Sequence, residues 1–119
     1  MIPGVAIGIA ENLTIEAIHR DKESTTLAIV STGEGLLPYH RHLRTNETIK
    51  VEKGWVLHVE TGRRYTEGES WEIPIGEWHS AIFSPNCFVL VICKPTLPTA
   101  KESPVDIDDM EKAFLHAKP

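Results

Sequence analysis

The sequence predicts an all-β fold, an antiparallel barrel followed by a short C-terminal helix. Three observations carry this. From Val5 to about Val91, short runs of β-branched and aromatic residues are broken by Gly, Pro, Asn or Ser, the rhythm of a β-sandwich or barrel. The runs are too evenly spaced to admit crossover helices, which disfavours a parallel α/β architecture. Beyond Lys94 the sequence becomes KPTLPTAKESP, whose prolines cannot donate to a sheet ladder and so mark the end of the barrel.

Strands are expected over residues 14–19, 25–31, 37–42, 47–52, 56–60, 70–74, 80–83 and 88–93. Turns fall at 32–35, 53–54, 61–64 and 85–86, where Gly, Asn, Pro and Ser supply turn geometry. This places Arg63 and Arg64 at a hairpin tip. Further on, Ser103, Pro104 and Asp106 read as a helix start. Ile107, Met110, Phe114 and Leu115 then recur at helical spacing, so this helix is expected to pack on the barrel exterior. One domain is expected over residues 1–119, with the barrel core over about 14–94 and the proline-rich link and helix over 95–119.

At 119 residues and 41% hydrophobic content the chain can bury one core. A formal charge of -5 argues against nucleic acid as a partner, because phosphate-backbone binders cluster Lys and Arg. No apolar run has the length of a transmembrane helix. The first twenty residues lack a basic stretch and are interrupted by Glu11, Asn12 and Thr14, so neither a secretory leader nor a membrane partner is expected. The two cysteines, Cys87 and Cys93, have no CxxC spacing. They suggest no disulfide framework and no cysteine zinc site, read as small buried hydrophobes, and fit a cytoplasmic location.

The chemistry-bearing segment is HRHLRTNETIKVEKG. His40 and His42 are two apart, which on a strand puts both imidazoles on one face. Alone, such a pair arises easily by chance. Glu47 follows through the short link 43–46 and can return a carboxylate beside them, and Gly54 suits a tight turn. Downstream, GESWEIPIGEWH supplies Gly68, Pro74, Gly76 and His79, an extended segment and a Pro-x-Gly turn leading to a third imidazole.

These spacings resemble the two motifs of the cupin family. His40, His42, Glu47 and Gly54 match the first, and Gly68, Pro74, Gly76 and His79 match the second. Two positions depart from the pattern. Glu34, flanked by Gly33 and Gly35, stands at the opening glycine of the first motif, and Phe83 stands at the closing asparagine of the second, which suggests a more apolar pocket wall. Only residues 55–67 separate the motifs, as in short-linked bacterial members, and the likeness covers about 35–94. The resemblance implies a double-stranded β-helix, or jelly-roll, barrel in which His40, His42, Glu47 and His79 hold one divalent transition metal. Mixed nitrogen and oxygen ligation suits iron, manganese, nickel, cobalt, copper or zinc. Up to two coordination positions would remain for water, substrate or dioxygen. A homodimer is also implied by the family likeness.

Strand parity from Glu47 places Ile49 and Val51 on the ligand-bearing face and Thr48, Lys50 and Glu52 on the other. Tyr39 and Arg41 alternate with the two histidines and should point away from the metal. His58 can line the pocket as a general base, or be a surface or core histidine. Arg44, in the link before Glu47, can reach the mouth or be an exposed loop charge. Trp71, Trp78 and Phe83 either wall a cavity or fill core or subunit interface. The expected function is that of a metal-dependent enzyme, an isomerase, lyase or dioxygenase, acting on a small polar molecule. The alternative is a non-catalytic module that binds or senses a small ligand or metal.

Overall fold

The structure, a computed structural model, describes residues 12–42 and 45–96. Among these it forms β1 (Leu13–Arg20), β2 (Thr25–Ser31), β3 (Gly35–His40), β4 (Asn46–Lys53), β5 (Trp55–His58), β6 (Arg63–Thr66), β7 (Ser70–Ile73), β8 (His79–Phe83) and β9 (Phe88–Lys94). One sheet has the order β1-β2-β9-β4-β7 and the other β3-β8-β5-β6. Every pairing is antiparallel. No helix among the described residues is long and apolar enough to cross a membrane.

The period-two pattern of the strands builds the core in cross-strand rows. In the first sheet Ile15, Ile29, Val89 and Val51 are register partners in one row, and Ala17, Leu27, Val91, Ile49 and Trp71 in the next. All but Trp71, which is half-buried, lie in the core. The second sheet answers with Gly35, Phe83, Val56 and Tyr65 in one row and Leu37, Ala81 and His58 in the next. Burying a large apolar side chain in such a row contributes about 1.5–3 kcal/mol, so these rows hold the two sheets face to face. Both cysteines are buried, as expected.

The expected strand over 37–42 is corrected at both ends: β3 begins at Gly35 and stops at His40. It also carries a bulge. Leu37 pairs with Ala81 but His40 with His79, three steps on β3 against two on β8. The inserted residue flips the parity of the strand. Leu37 and His40 therefore both face inward, which an unbroken strand forbids.

A second correction concerns Arg63 and Arg64, which open β6 rather than form a hairpin tip. The tip lies at 59–62, where Gly62 donates to the carbonyls of His58 at 2.8 Å and Val59 at 3.2 Å. The guanidinium groups of Arg63 and Arg64 lie over the rings of Tyr65 and Trp55, so charged residues cover apolar ones on an exposed strand. The expected C-terminal helix and Arg44 lie outside the described residues.

Candidate metal centre

The bulge on β3 turns His40 inward, and the extended chain beyond the strand carries His42 to the same side. Both are buried, whereas Tyr39 is 56% exposed. Glu47 comes from the opposite sheet, at the start of β4, in a row with Thr25, Cys93 and Ile73. His79 opens β8, directly across from His40. All four residues are buried, and their ligand atoms lie within 4.8 Å of one another.

The segments carrying the histidines are tied together from outside. Gly76 N–H donates to the His42 carbonyl at 2.8 Å, and Ile75 N–H donates to Asn46 Oδ1 at 2.9 Å. Gly76 sits at φ 81°, the left-handed conformation that the Pro-x-Gly turn requires. Trp78 stacks on Tyr39 with ring centroids 5.0 Å apart, and the Arg41 guanidinium lies 4.9 Å from the Trp78 ring centre. The outward neighbours of the ligands thus pack on one another on the barrel exterior. Trp78, 42% exposed, is not a cavity wall.

Inside, His42 Nε2 stands 3.2 Å from Glu47 Oε2 and His79 Nε2 stands 3.2 Å from Oε1. Neither approach is aligned as a hydrogen bond. His42 Nε2, His79 Nε2 and Glu47 Oε1 are buried without a hydrogen-bond partner among the described residues. Burial opposes ionisation of Glu47, but the charges of His42 and His79 outweigh it and hold the carboxyl well below its ordinary range. Burial likewise opposes a charge on His79, and the Glu47 carboxylate reverses it, raising the imidazole above its ordinary value. When neutral, His79 can donate Nδ1–H to the Glu77 carbonyl at 3.0 Å, which leaves the Nε2 lone pair aimed into the cluster, the arrangement of a metal-bound histidine. Three imidazoles and an ionised carboxylate converging on one point, with orphaned donor atoms, fit a divalent transition ion.

Against the cluster, and lined in part by His40, Glu47 and His79, lies a cavity of ≈ 20 Å³, enough for about one water molecule. Its walls are mostly apolar and include Phe83, Val56 and Ile49. Phe83 therefore does supply an apolar wall. His58 and Trp71 line the cavity too, and His58 is buried.

Two groups went unmarked by spacing or motif. Glu60 accepts from Ser80 N–H at 2.7 Å and from Ser80 Oγ at 2.6 Å, and its Oε1 is 3.6 Å from His58 Nε2. Burial works against its charge, but the Ser80 donors win and lower its carboxyl. The only sequence signal for Glu60 is its place two residues after His58.

No family model matches the sequence, and no curated protein matches it. Solved structures do. KdgF from Halomonas sp. is similar with a TM-score of 0.67 at 16% identity, over 76% of this chain and 87% of that chain. An RmlC-like cupin from Shewanella frigidimarina gives 0.66 at 18% identity, over 77% and 84%. The polyketide cyclase RemF from Streptomyces resistomycificus gives 0.60 at 22% identity, over 82% and 71%. At these identities the likeness is one of fold. Two antiparallel sheets enclosing a three-histidine, one-glutamate cluster, together with this likeness, identify the fold of the chain as the cupin double-stranded β-helix.

Proposed function

We propose that the chain is a metal-dependent enzyme acting on a small polar molecule, with His40, His42, Glu47 and His79 as ligands of one divalent transition ion. The observation that supports this best is the ionised, buried Glu47 carboxylate facing two imidazole nitrogens at 3.2 Å without hydrogen-bond alignment. Such a donor array is accommodated by a cation where its atoms meet. A bound ion would supply Lewis-acid polarisation of a ligand oxygen. The apolar walls exclude water, and His58 is the chain's own candidate for holding a proton beside the bound molecule. Isomerisation, elimination and dioxygen chemistry are the reaction classes of this reading, and the likeness to RemF, a polyketide cyclase, supports catalysis.

The test is metal analysis and turnover in the untagged protein and in the double variant His40→Ala/His42→Ala. Stoichiometric metal in the wild type, with loss of both metal and turnover in the variant, is expected. Full turnover by the metal-free variant overturns the proposal. The second reading, a non-catalytic module that binds or senses a small ligand or metal, is favoured in its metal-binding form by the cavity's small volume of ≈ 20 Å³, which leaves little room for a substrate beside the ion. Ligand binding without product under aerobic and anaerobic conditions would select it. By family likeness a homodimer belongs to the same proposal, and sedimentation velocity measures it.

A further inference from the structure

The first sheet is apolar on its outward face as well as its inward one. On β2 and β9, the residues that alternate with the core Ile29, Val89 and Val91 are Ala28, Val30, Phe88, Leu90 and Ile92. Val30 and Phe88 are register partners, 43% and 37% exposed, and Leu90 and Ile92 are half-buried. An antiparallel sheet with one face in water places polar residues on that face. Here they return on the flanking strands, where Thr14 and Glu16 of β1 and Lys50 of β4 are exposed. A contiguous apolar centre with a polar rim marks an interaction surface.

The order of residues across this face determines what fits it. One register row runs Glu16, Ala28, Leu90, Lys50 from β1 to β4, and a neighbouring outward row runs Thr14, Val30, Phe88, Lys53. Each row passes from a smaller apolar side chain on β2 to a larger one on β9, and the first also passes from an acid to a base. A twofold axis lying in the face, along the strands and midway between β2 and β9, turns each row end for end. Ala28 then meets the partner's Leu90, Val30 meets the partner's Phe88, and Glu16 meets the partner's Lys50, each contact occurring twice. An axis across the strands would instead set Glu16 against the partner's Glu16 and Lys50 against the partner's Lys50, which repel. The charge order selects the first arrangement.

We infer that the outward face of β2 and β9 is the contact between two copies of this chain, packed face to face about a twofold axis along the strands, with Glu16 of each copy paired to the partner's Lys50. A second copy is the occupant because the face is complementary to itself: smaller side chains meet larger ones, and acid meets base around an apolar centre. The inference rests on the homodimer of the proposed function and names its face. It does not depend on the metal. Strands about 4.8 Å apart and about 3.3 Å long per residue give β1, β2, β9 and β4, with seven residues in β2 and in β9, a footprint of about 400 Å² per copy. That is about half the share of a standard interface. The dimer is therefore weak, with a Kd of about 10 μM, and responds to concentration.

Sedimentation equilibrium of the untagged full chain, from about 1 to about 200 μM, tests it. Wild type is expected to pass from monomer to dimer over this range. Glu16→Lys alone faces a lysine with the partner's Lys50, and Lys50→Glu alone faces a glutamate with the partner's Glu16, so each should raise Kd by about 100-fold. An equimolar mixture of the two single variants should associate as tightly as wild type, because a mixed dimer carries two opposite-charge contacts. The double variant Glu16→Lys/Lys50→Glu should do the same. Both positions are exposed, and thermal melting checks that each variant is folded. A dimer that survives both single variants, or a mixture no tighter than its parts, overturns this face and leaves the homodimer standing. A folded monomer at every concentration overturns the homodimer itself, and is the result required if residues 104–116 of the same chain cover the face.

Discussion

His40 and His79 are register partners across β3 and β8, with ring centroids 4.1 Å apart. Their closeness is imposed by backbone pairing, so two imidazoles are held at the cluster before any ion arrives. In wild type, metal at about 1,000 times its Kd should stabilise the fold by about 4 kcal/mol. In His79→Ala that gain should nearly vanish, because losing a direct ligand costs more than the about 10–100-fold lost with an outer partner. Thermal melting with and without metal measures both.

Trp78 is not itself a candidate ligand, yet its ring packs against Tyr39 and Arg41, the outward neighbours of His40 and His42. Trp78→Ala should remove about 1–2 kcal/mol of stacking and cation–π interaction and loosen the histidine segments. Metal affinity should fall by about 10-fold, and Trp78→Phe should restore most of it. Competition with a chelator reads the affinity, and urea unfolding of metal-free protein reads the stability.

Gly54 sits at φ 83°, and a Cβ there would fall 2.5 Å from Ser84 Oγ and 3.2 Å from Cys87 Cα. Ser84 Oγ accepts from Trp55 N–H at 2.9 Å, so it cannot swing away without orphaning that donor. Gly54→Ala should destabilise the protein by about 1–3 kcal/mol through strain and crowding. Chemical denaturation measures it.

Neither cysteine should react with a thiol reagent while the chain is folded. Cys87 and Cys93 are both 0% exposed. Burial raises both thiols, and for Cys93 the neighbouring Glu47 carboxylate adds to it, so the reactive thiolate is suppressed. Labelling that appears only in denaturant is the expected result, and labelling of native protein would contradict the described burial.

The β1–β2 turn carries an acid-sensitive contact. Asp21 accepts from His19 Nε2 at 3.0 Å and from the backbone N–H groups of Glu23 and Ser24 at 2.8 Å and 2.9 Å. The His19 contact first, and then the backbone donors, lower its carboxyl from 3.8 to about 2. Since the folded value lies below the unfolded one, the contribution is present above about pH 4 and is lost as pH falls toward 2. Asp21→Asn should flatten stability against pH in that window alone, which denaturant titrations at stepped pH can read.

Much of the barrel was legible because inward residues must alternate. On β4, Glu47, Ile49 and Val51 are buried while Thr48 is half-buried and Lys50 and Glu52 are exposed, the parity read from the sequence. β6 was not legible, since its period-two signal is a single buried Tyr65 among exposed neighbours and two arginines there resemble a loop. What identifies it as a strand is pairing with β5, a partner that the local sequence does not specify.

The candidate ligand set, His40, His42, Glu47 and His79, was legible in the sequence through the resemblance of its spacings to the two cupin motifs, because residue spacing around a Gly or Pro-x-Gly turn is a one-dimensional property. Tertiary structure alone decided which way those residues face and what lies beside them. The bulge that turns His40 inward depends on the register between β3 and β8, and the meeting of Glu47 with the histidines depends on two sheets packing face to face. Trp71 and His58 line one cavity from strands of different sheets. No local pattern encodes their meeting, because cross-strand register and burial, rather than sequence separation, bring them together.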